Sequence, residues 1–277
     1  MNKVYEIVTD RIIKQLEEGT VPWHKGWFGK NACISYSTGK QYSIINQMLL
    51  GEAGEYITWK QVQENGGKVK DGAKSKVVVF WKMMRQGEVN DEGELEVKMI
   101  PILRYYRVFN INDCEGIEPK YTKVNEDFNP IEEAEKVVNE YLTREDIKVL
   151  TRNHAAYSPI EDVIMMPKTE QFESEAEYYS TFFHEMVHST GAEKRLNRIS
   201  KDACFGDESY SKEELVAEIG SAFMMNNLNI EGAFNNSVAY IDEWLEKLKK
   251  DPKMIVSAAG KADKAVEYIE EGEANDV

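Results

Sequence analysis

The chain has 277 residues, 42% hydrophobic and 30% charged, with a formal net charge of −15. That length allows two ordinary domains, the composition is that of a soluble globular protein, and the absence of any long apolar run excludes a membrane-spanning helix. The charge is uneven: residues 1–85 carry 13 Lys and Arg against 8 Asp and Glu, whereas residues 121–277 carry 17 against 33, which points to two domains with different partners.

The opening segment, 3–18, repeats Val4, Val8, Ile12 and Leu16 on one helical face and stops at Gly19. Its interspersed charges do not suit a signal peptide. Residues 56–66 read as a helix capped by Thr58 and stopped at Gly66-Gly67. Residues 77–81 and 100–109 are β-rich, and the polar segment 86–98 between them reads as a loop or hairpin tip. Pro119, Pro130 and the polar residues between them mark a linker over 119–130. A helix near 131–145 follows, then short strands at 147–152 and 163–166, then four helices near 174–190, 211–229, 237–250 and 253–271. The expected fold class is therefore α+β: a small α+β domain over 1–118, then a domain over 131–277 with a short sheet and several helices. Three widely spaced cysteines, Cys33, Cys114 and Cys204, read as free thiols in a reducing compartment, so the protein is expected to be cytoplasmic.

The most informative feature is His184-Glu185-Met186-Val187-His188, an H-E-x-x-H motif in an apolar run. The whole sequence holds four histidines, so chance would give at most about 0.01 such motifs per chain of this makeup. Ser174-Glu175-Ala176-Glu177 starts the helix as a capping box, and Gly191 can stop it. On a helix the two imidazoles share a face and can grip one Zn²⁺ or another divalent ion, while Glu185 can take a proton from water activated there. Layout agrees with a zincin, in which strands precede a metal-bearing helix. The segment 156–166 can supply the edge strand beside that helix, on which a peptide substrate would pair. Candidates to steady an oxyanion are His154, Tyr157, Tyr178 and Tyr210.

The third ligand is less local. Lys194 stands where a metzincin has its third histidine, and an ammonium cannot replace an imidazole. Glu214 and Glu218 share one face of the next expected helix, so one can bind metal while the other steadies a ligand histidine. The segment Glu214 to Glu218 resembles the E-x-x-x-(D/N/E) element of thermolysin-like glutamate zincins, which implies Glu214 as ligand and Glu218 as its supporting neighbour. The competing use of Glu214 is as the far end of a capping box begun by Ser211.

In the first half, Trp23, Trp27, Trp59 and Tyr42 interleave with Lys25, Lys40 and Lys60. Aromatics for stacking and cations for phosphates are what a single-stranded nucleic acid platform needs. Core tryptophans with solvated lysines would give the same composition.

The chain resembles the ArdC-type antirestriction proteins of conjugative plasmids and other mobile elements. The matching residues include Val21-Pro22-Trp23 with Trp27, Thr38 to Tyr42, Thr58-Trp59-Lys60, Val108-Phe109-Asn110, Tyr157-Ser158-Pro159, the segment from His184 to His188 with Gly191, Arg195 to Arg198, and Glu213 to Glu218. Ser189 stands where that family has a tryptophan, and Tyr42-Ser43-Ile44 replaces a commoner Tyr-Arg-Gly. The resemblance implies an N-terminal single-stranded DNA-binding domain joined to a zincin-like metallopeptidase domain, with His184, His188 and Glu214 on Zn²⁺ and Glu185 as general base. Partners would be single-stranded DNA and a protein or peptide substrate. The rival expectations are a DNA-directed metalloprotease acting on nearby proteins, and a non-catalytic DNA-binding protein whose metal is structural.

Overall fold

In the computed structural model the described residues are 3–24, 33–89, 95–121, 129–199, 208–231 and 238–272. The first helix, α1 (Lys3–Glu17), buries the expected stripe Val4, Val8, Ile12 and Leu16. It ends at Gly19, whose φ of 76° suits a residue without a Cβ. Next come a 3-10 turn, Pro22–His24, then β1 (Cys33–Ser35), α2 (Ile44–Leu50) and β2 (Gly54–Ile57). α2, β1 and β2 are not among the expected elements. The helix expected over 56–66 is the shorter α3 (Trp59–Glu64), because residues up to Ile57 are spent on β2. Thr58 does cap it, in a reciprocal box with Gln61.

A short β3 (Lys68–Val69) precedes the long antiparallel hairpin of β4 (Lys76–Val89) and β5 (Leu95–Asn110), and β3 pairs with β6 (Cys114–Glu115). The strands take in much of 86–98, expected as a loop or hairpin tip, which thus belongs to a hairpin; residues 90–94 lie outside those described. The main sheet has the order β1-β2-β5-β4. Its outer edge at β4 is stopped by Asn46 of α2, which donates to the Val79 carbonyl at 2.8 Å and accepts from the Val79 N–H at 2.7 Å. A side chain thereby satisfies backbone groups that would otherwise invite another strand.

The second half opens with α4 (Pro130–Glu145), its N-terminus capped by Asn129 with Pro130 in the first turn. A small sheet follows, of β7 (Lys148–Thr151), β8 (Ala156–Ser158) and β9 (Val163–Met166), in the order β7-β9-β8. β8 lies antiparallel to β9 and forms one edge. The remaining helices are α5 (Glu175–Thr190), α6 (Glu208–Asn227), α7 (Val238–Lys250) and α8 (Met254–Glu271). α6 is enclosed: Leu215, Ala217, Ile219, Ala222 and Met225 are all 0% exposed. It meets α5 at Gly220, where a Cβ would stand 2.8 Å from Val187 Cγ2.

One apolar core runs through both halves, joining Val8, Ile12, Trp23 and Met48 to Phe183, Ile219, Trp244 and Ile255. Thr9 of α1 also donates to the Pro252 carbonyl at 2.6 Å. The first helix therefore docks on the helical half. Of the expected linker, 122–128 lies outside the described residues.

Candidate metal centre

Ser174 accepts the Glu177 N–H at 3.1 Å and starts α5, while the Glu177 carboxylate accepts from the Glu173 N–H at 2.7 Å. Three turns on, His184 and His188 face the same way, and α6 brings Glu214 against them. The His184 and His188 Nε2 atoms are 3.1 Å apart; Glu214 Oε1 is 3.3 Å from His188 Nε2, and its Oε2 is 3.5 Å from His184 Nε2. Among the described residues these three form the group of potential metal ligands whose donor atoms converge. The spacing fits a metal: two ligands about 2.0–2.1 Å from a tetrahedral Zn²⁺ stand about 3.3–3.4 Å from each other. Two imidazoles and one carboxylate are also a donor set suited to zinc and similar divalent ions.

The electrostatics match the geometry. Burial opposes ionisation of Glu214, yet hydrogen bonds from His184 and His188 hold its pKa well below the carboxylate range. Burial likewise disfavours a charged His188, but Glu213 and Glu214 outweigh it and raise its pKa to about 9. Glu185 is buried, 8% exposed. That burial raises its pKa against the pull of both histidines, and a hydrogen bond with the Tyr157 backbone ties it to the edge strand β8. Metal face, glutamate and strand edge thus adjoin.

The neighbour that supports a histidine is Glu213, not the expected Glu218. Glu213 Oε1 lies 3.7 Å from His188 Nδ1 and accepts from Arg198 Nη2 at 2.8 Å. Arg198 also donates to the Val187 carbonyl and to Thr190 Oγ1, both at 2.8 Å, which holds it to the C-terminal end of α5. Glu218, a full turn beyond Glu214, meets other groups: His24 Nε2 at 3.8 Å and the Tyr240 hydroxyl at 3.4 Å. Nor does a capping box occupy Glu214, since α6 begins at Glu208 and Ser211 is already inside it. The adjacency of Glu213 to Glu214, and Arg198 in the segment after the motif, were the available signals for this support.

Other expectations are revised. Gly191 ends α5 at a φ of −74°, so it is not a left-handed cap; it is needed for space, because a Cβ would come within 2.7 Å of Ile199. Lys194 pairs with Asp162 at 2.7 Å. Ser189 is buried between the Tyr141 hydroxyl and the Met186 carbonyl, 2.7 Å from each. Of the oxyanion candidates, Tyr157 donates its hydroxyl to Asp162 at 2.7 Å, His154 is exposed, Tyr178 packs on Phe172 and Phe182, and the Tyr210 side chain lies outside the described set.

The described residues expected on a DNA face differ in exposure. Trp23 is 0% exposed, set edge-on to Trp244 and donating to the Tyr240 hydroxyl at 3.4 Å, so it has no free face to stack a base. Tyr42 is half-buried against Tyr56. Lys40 is exposed, Trp59 is 52% exposed, and Lys60 is exposed and pairs with Glu64 at 3.6 Å. Lys25 and Trp27 lie outside the described residues.

The small sheet, the histidine-bearing helix and the carboxylate from the next helix define a zincin-like metallopeptidase domain, and residues 132–261 match the family model of that description. Residues 2–109 match the N-terminal domain of the anti-restriction factor ArdC. The chain resembles the crystal structure of the antirestriction ArdC protein from plasmid R388 in its metal-free form (34% identity, 96% of each chain, TM-score 0.75) and its Mn(II)-bound form (33%, 98% of each, 0.76). It belongs to the ArdC family of antirestriction proteins. It is also 32% identical over 286 residues to a DNA primase TraC of Escherichia coli, covering 96% of this chain but 20% of the primase. A second TraC of that organism is 31% identical and covered over 27% of its length, so the chain spans about a fifth to a quarter of these relatives. The protein y4eC of Sinorhizobium fredii, 29% identical, is covered over 91%. No helix among the described residues is long and apolar enough to cross a membrane.

Proposed function

We propose that this ArdC-family protein binds single-stranded DNA through its N-terminal region and holds one divalent ion, with Zn²⁺ the first candidate, on His184, His188 and Glu214, as a peptide-hydrolysing site. The observation that carries the metal reading is the convergence of two imidazole nitrogens and a carboxylate at 3.1–3.5 Å. The Mn(II)-bound form of the R388 protein supports it. When bound, the ion would polarise a carbonyl and lower the pKa of water. Glu185 would take the proton, its carboxylate held by the Tyr157 backbone, and the β8 edge would align an extended peptide beside it. Glu213, braced by Arg198, would hold the His188 ring in its liganding orientation. The His184 and Glu214 side chains are 21% and 28% exposed. Three ligands with solvent access suit a working site better than a closed structural one. The DNA reading is supported by the match of residues 2–109 to the ArdC N-terminal domain and by the cation excess of residues 1–85. Together these activities would protect incoming single strands while a mobile element becomes established.

The test is metal content and zinc titration of the purified protein alongside Glu214→Gln, His188→Ala and Glu185→Gln. The first two variants should lose binding. Glu185→Gln should keep the metal and lose hydrolysis of a peptide library. A wild-type protein that stays metal-free in excess zinc and in excess manganese would overturn the metal reading. Antirestriction that survives Glu185→Gln with metal retained would separate hydrolysis from that activity.

A further inference from the structure

The β4–β5 register places Trp81 opposite Leu103, Val79 opposite Tyr105 and Val77 opposite Arg107. These side chains therefore share one face of the ribbon. Near the sheet that face is covered, with Val77, Val79 and Leu103 at 2%, 4% and 1% exposure; Trp81 and Tyr105 are each 46% exposed. Val4 and Tyr5 of α1 wall the uncovered part, making with Trp81, Leu103 and Tyr105 an open cleft of about 490 Å³. The Tyr5 ring meets Trp81 edge-on at 6.3 Å, and Lys253 Nζ lies 5.8 Å from the Tyr5 centroid.

Cations continue the same line. Arg107 is exposed on this face. Arg11 lies two helical turns along α1 from Val4. Burial lowers its pKa, and repulsion from Arg107 lowers it further, so the two guanidiniums stand in each other's field. An anion between them would relieve that repulsion. Along β5, Arg107 thus lies about 7 Å beyond Tyr105 and about 13 Å beyond the level of Trp81.

We propose that single-stranded DNA crosses this hairpin face, its bases stacking on Trp81 and Tyr105 in the cleft beside Tyr5 and its phosphates meeting Arg11, Arg107 and Lys253. This rests on the reading that the N-terminal region binds single strands, and it moves the contact away from Trp23 and Tyr42. Flat rings and backbone cations give binding tolerant of sequence.

The full-length protein, titrated with a fluorescently labelled oligo-dT, tests this by anisotropy. Trp81→Ala and Tyr105→Ala should each weaken binding about five- to hundredfold, with Tyr105→Phe retaining most of it. Arg107→Ala should reduce the slope of log affinity against log salt by about 0.7. Melting curves like that of the wild type establish that each variant is folded, and Arg107→Ala, at an exposed position, keeps the test decisive if Trp81→Ala is not. Wild-type binding that all three variants share would overturn the inference and leave the DNA reading standing, as would loss on Trp59→Ala with Lys60→Ala alone. A wild-type protein that binds no single strand at low salt would overturn both. Unchanged DNA affinity together with loss of a dimer in sedimentation on Trp81→Ala would make the face a self-association surface and refute the proposal.

Discussion

Arg195→Ala removes the side chain that fastens the edge strand to the metal helix. Arg195 is 0% exposed in its side chain. It donates twice to Asp162, at 2.8 and 2.9 Å, once to Glu145 at 3.0 Å and once to the Ser189 carbonyl at 2.8 Å. Asp162 lies in the turn between β8 and β9, Glu145 ends α4, and Ser189 is in the last turn of α5, so one guanidinium joins three elements. Truncation takes one cation from Glu145, 12% exposed in its side chain, and leaves it Arg144 at 3.2 Å and the Tyr268 hydroxyl at 3.1 Å. Breaking one partner of a buried ion pair costs about 3–5 kcal/mol. Lys194 still reaches Asp162 at 2.7 Å, and the Asp162 side chain is 23% exposed, so the lower end applies. About 3 kcal/mol corresponds to a melting point roughly 6–12 °C lower. Although burial opposes it, hydrogen bonds from Arg195, Lys194 and Tyr157 depress the Asp162 pKa far below its ordinary 3.8. A depressed carboxylate stabilises the fold above its unfolded pKa and ceases to do so as pH falls through the folded one. The gap between wild type and variant should therefore be full near neutrality and begin to close as pH falls past about 4. Scanning calorimetry at pH 7, 5 and 3.5 reads both effects. Melting within about 1 °C of wild type at pH 7, or a gap widening towards acid, would refute this account.

The other predictions concern single contacts. Glu213→Gln should weaken metal binding about 10- to 100-fold in competition with a chelator, while Glu218→Gln, which faces His24 and Tyr240, should change it less than about twofold; the reverse order would restore Glu218 to the supporting role. Gly220→Ala should destabilise by about 1–2 kcal/mol in urea, because crowding of Val187 exceeds the helix gain from alanine; a more stable variant would show that α5 and α6 separate freely. Asp263 accepts the Ile44 N–H at 3.3 Å, and its burial, with repulsion from Glu267, raises its pKa to about 6. A raised carboxylate binds its proton more tightly in the folded state, so stability should fall as pH rises from about 4 to about 6. Asp263→Asn should remove that fall, a gain at pH 7 of up to about 3 kcal/mol, reduced by the water reaching this half-buried group; an unchanged pH profile would refute the assignment.

The metal helix was legible because its information is local. Two histidines four residues apart, a capping serine and an apolar run lie within a single segment, and helical geometry converts that spacing into a shared face. Glu214 is less local, because its meeting with the histidines depends on how α6 packs on α5. The i, i+4 spacing of Glu214 and Glu218, with the resemblance to the E-x-x-x-(D/N/E) element, put Glu218 in the supporting role. Glu213, one residue away, reaches the other nitrogen of His188 because α6 crosses α5 closely at Gly220, a packing fact that no period in the sequence encodes. In the first half, α2 and β1 are short segments without a sustained period, and their places are set by partners such as Asn46 on β4 and the parallel pairing of β1 with β2.

The distribution of tryptophans misled for a related reason. Pro22-Trp23-His24 is punctuated like a surface loop, and a loop is a poor place to bury an indole. Trp23 is nevertheless buried because the second half of the chain covers it: Trp244 and Tyr240 of α7 close over its ring. His24 stacks on Tyr240 at 5.6 Å and reaches Glu218, one turn along α6 from Glu214. The segment that looked most like a binding loop is the one that joins the N-terminal region to the helix supplying the third candidate ligand. Exposure of the hairpin tryptophan has the opposite origin. Trp81 ends the β-rich run 77–81, in which Val77, Val78 and Val79 are buried, yet it is 46% exposed and Tyr5 of α1 meets its ring edge-on at 6.3 Å. Burial at both positions is decided by packing partners distant in sequence, so composition alone could not sort a core indole from an exposed one.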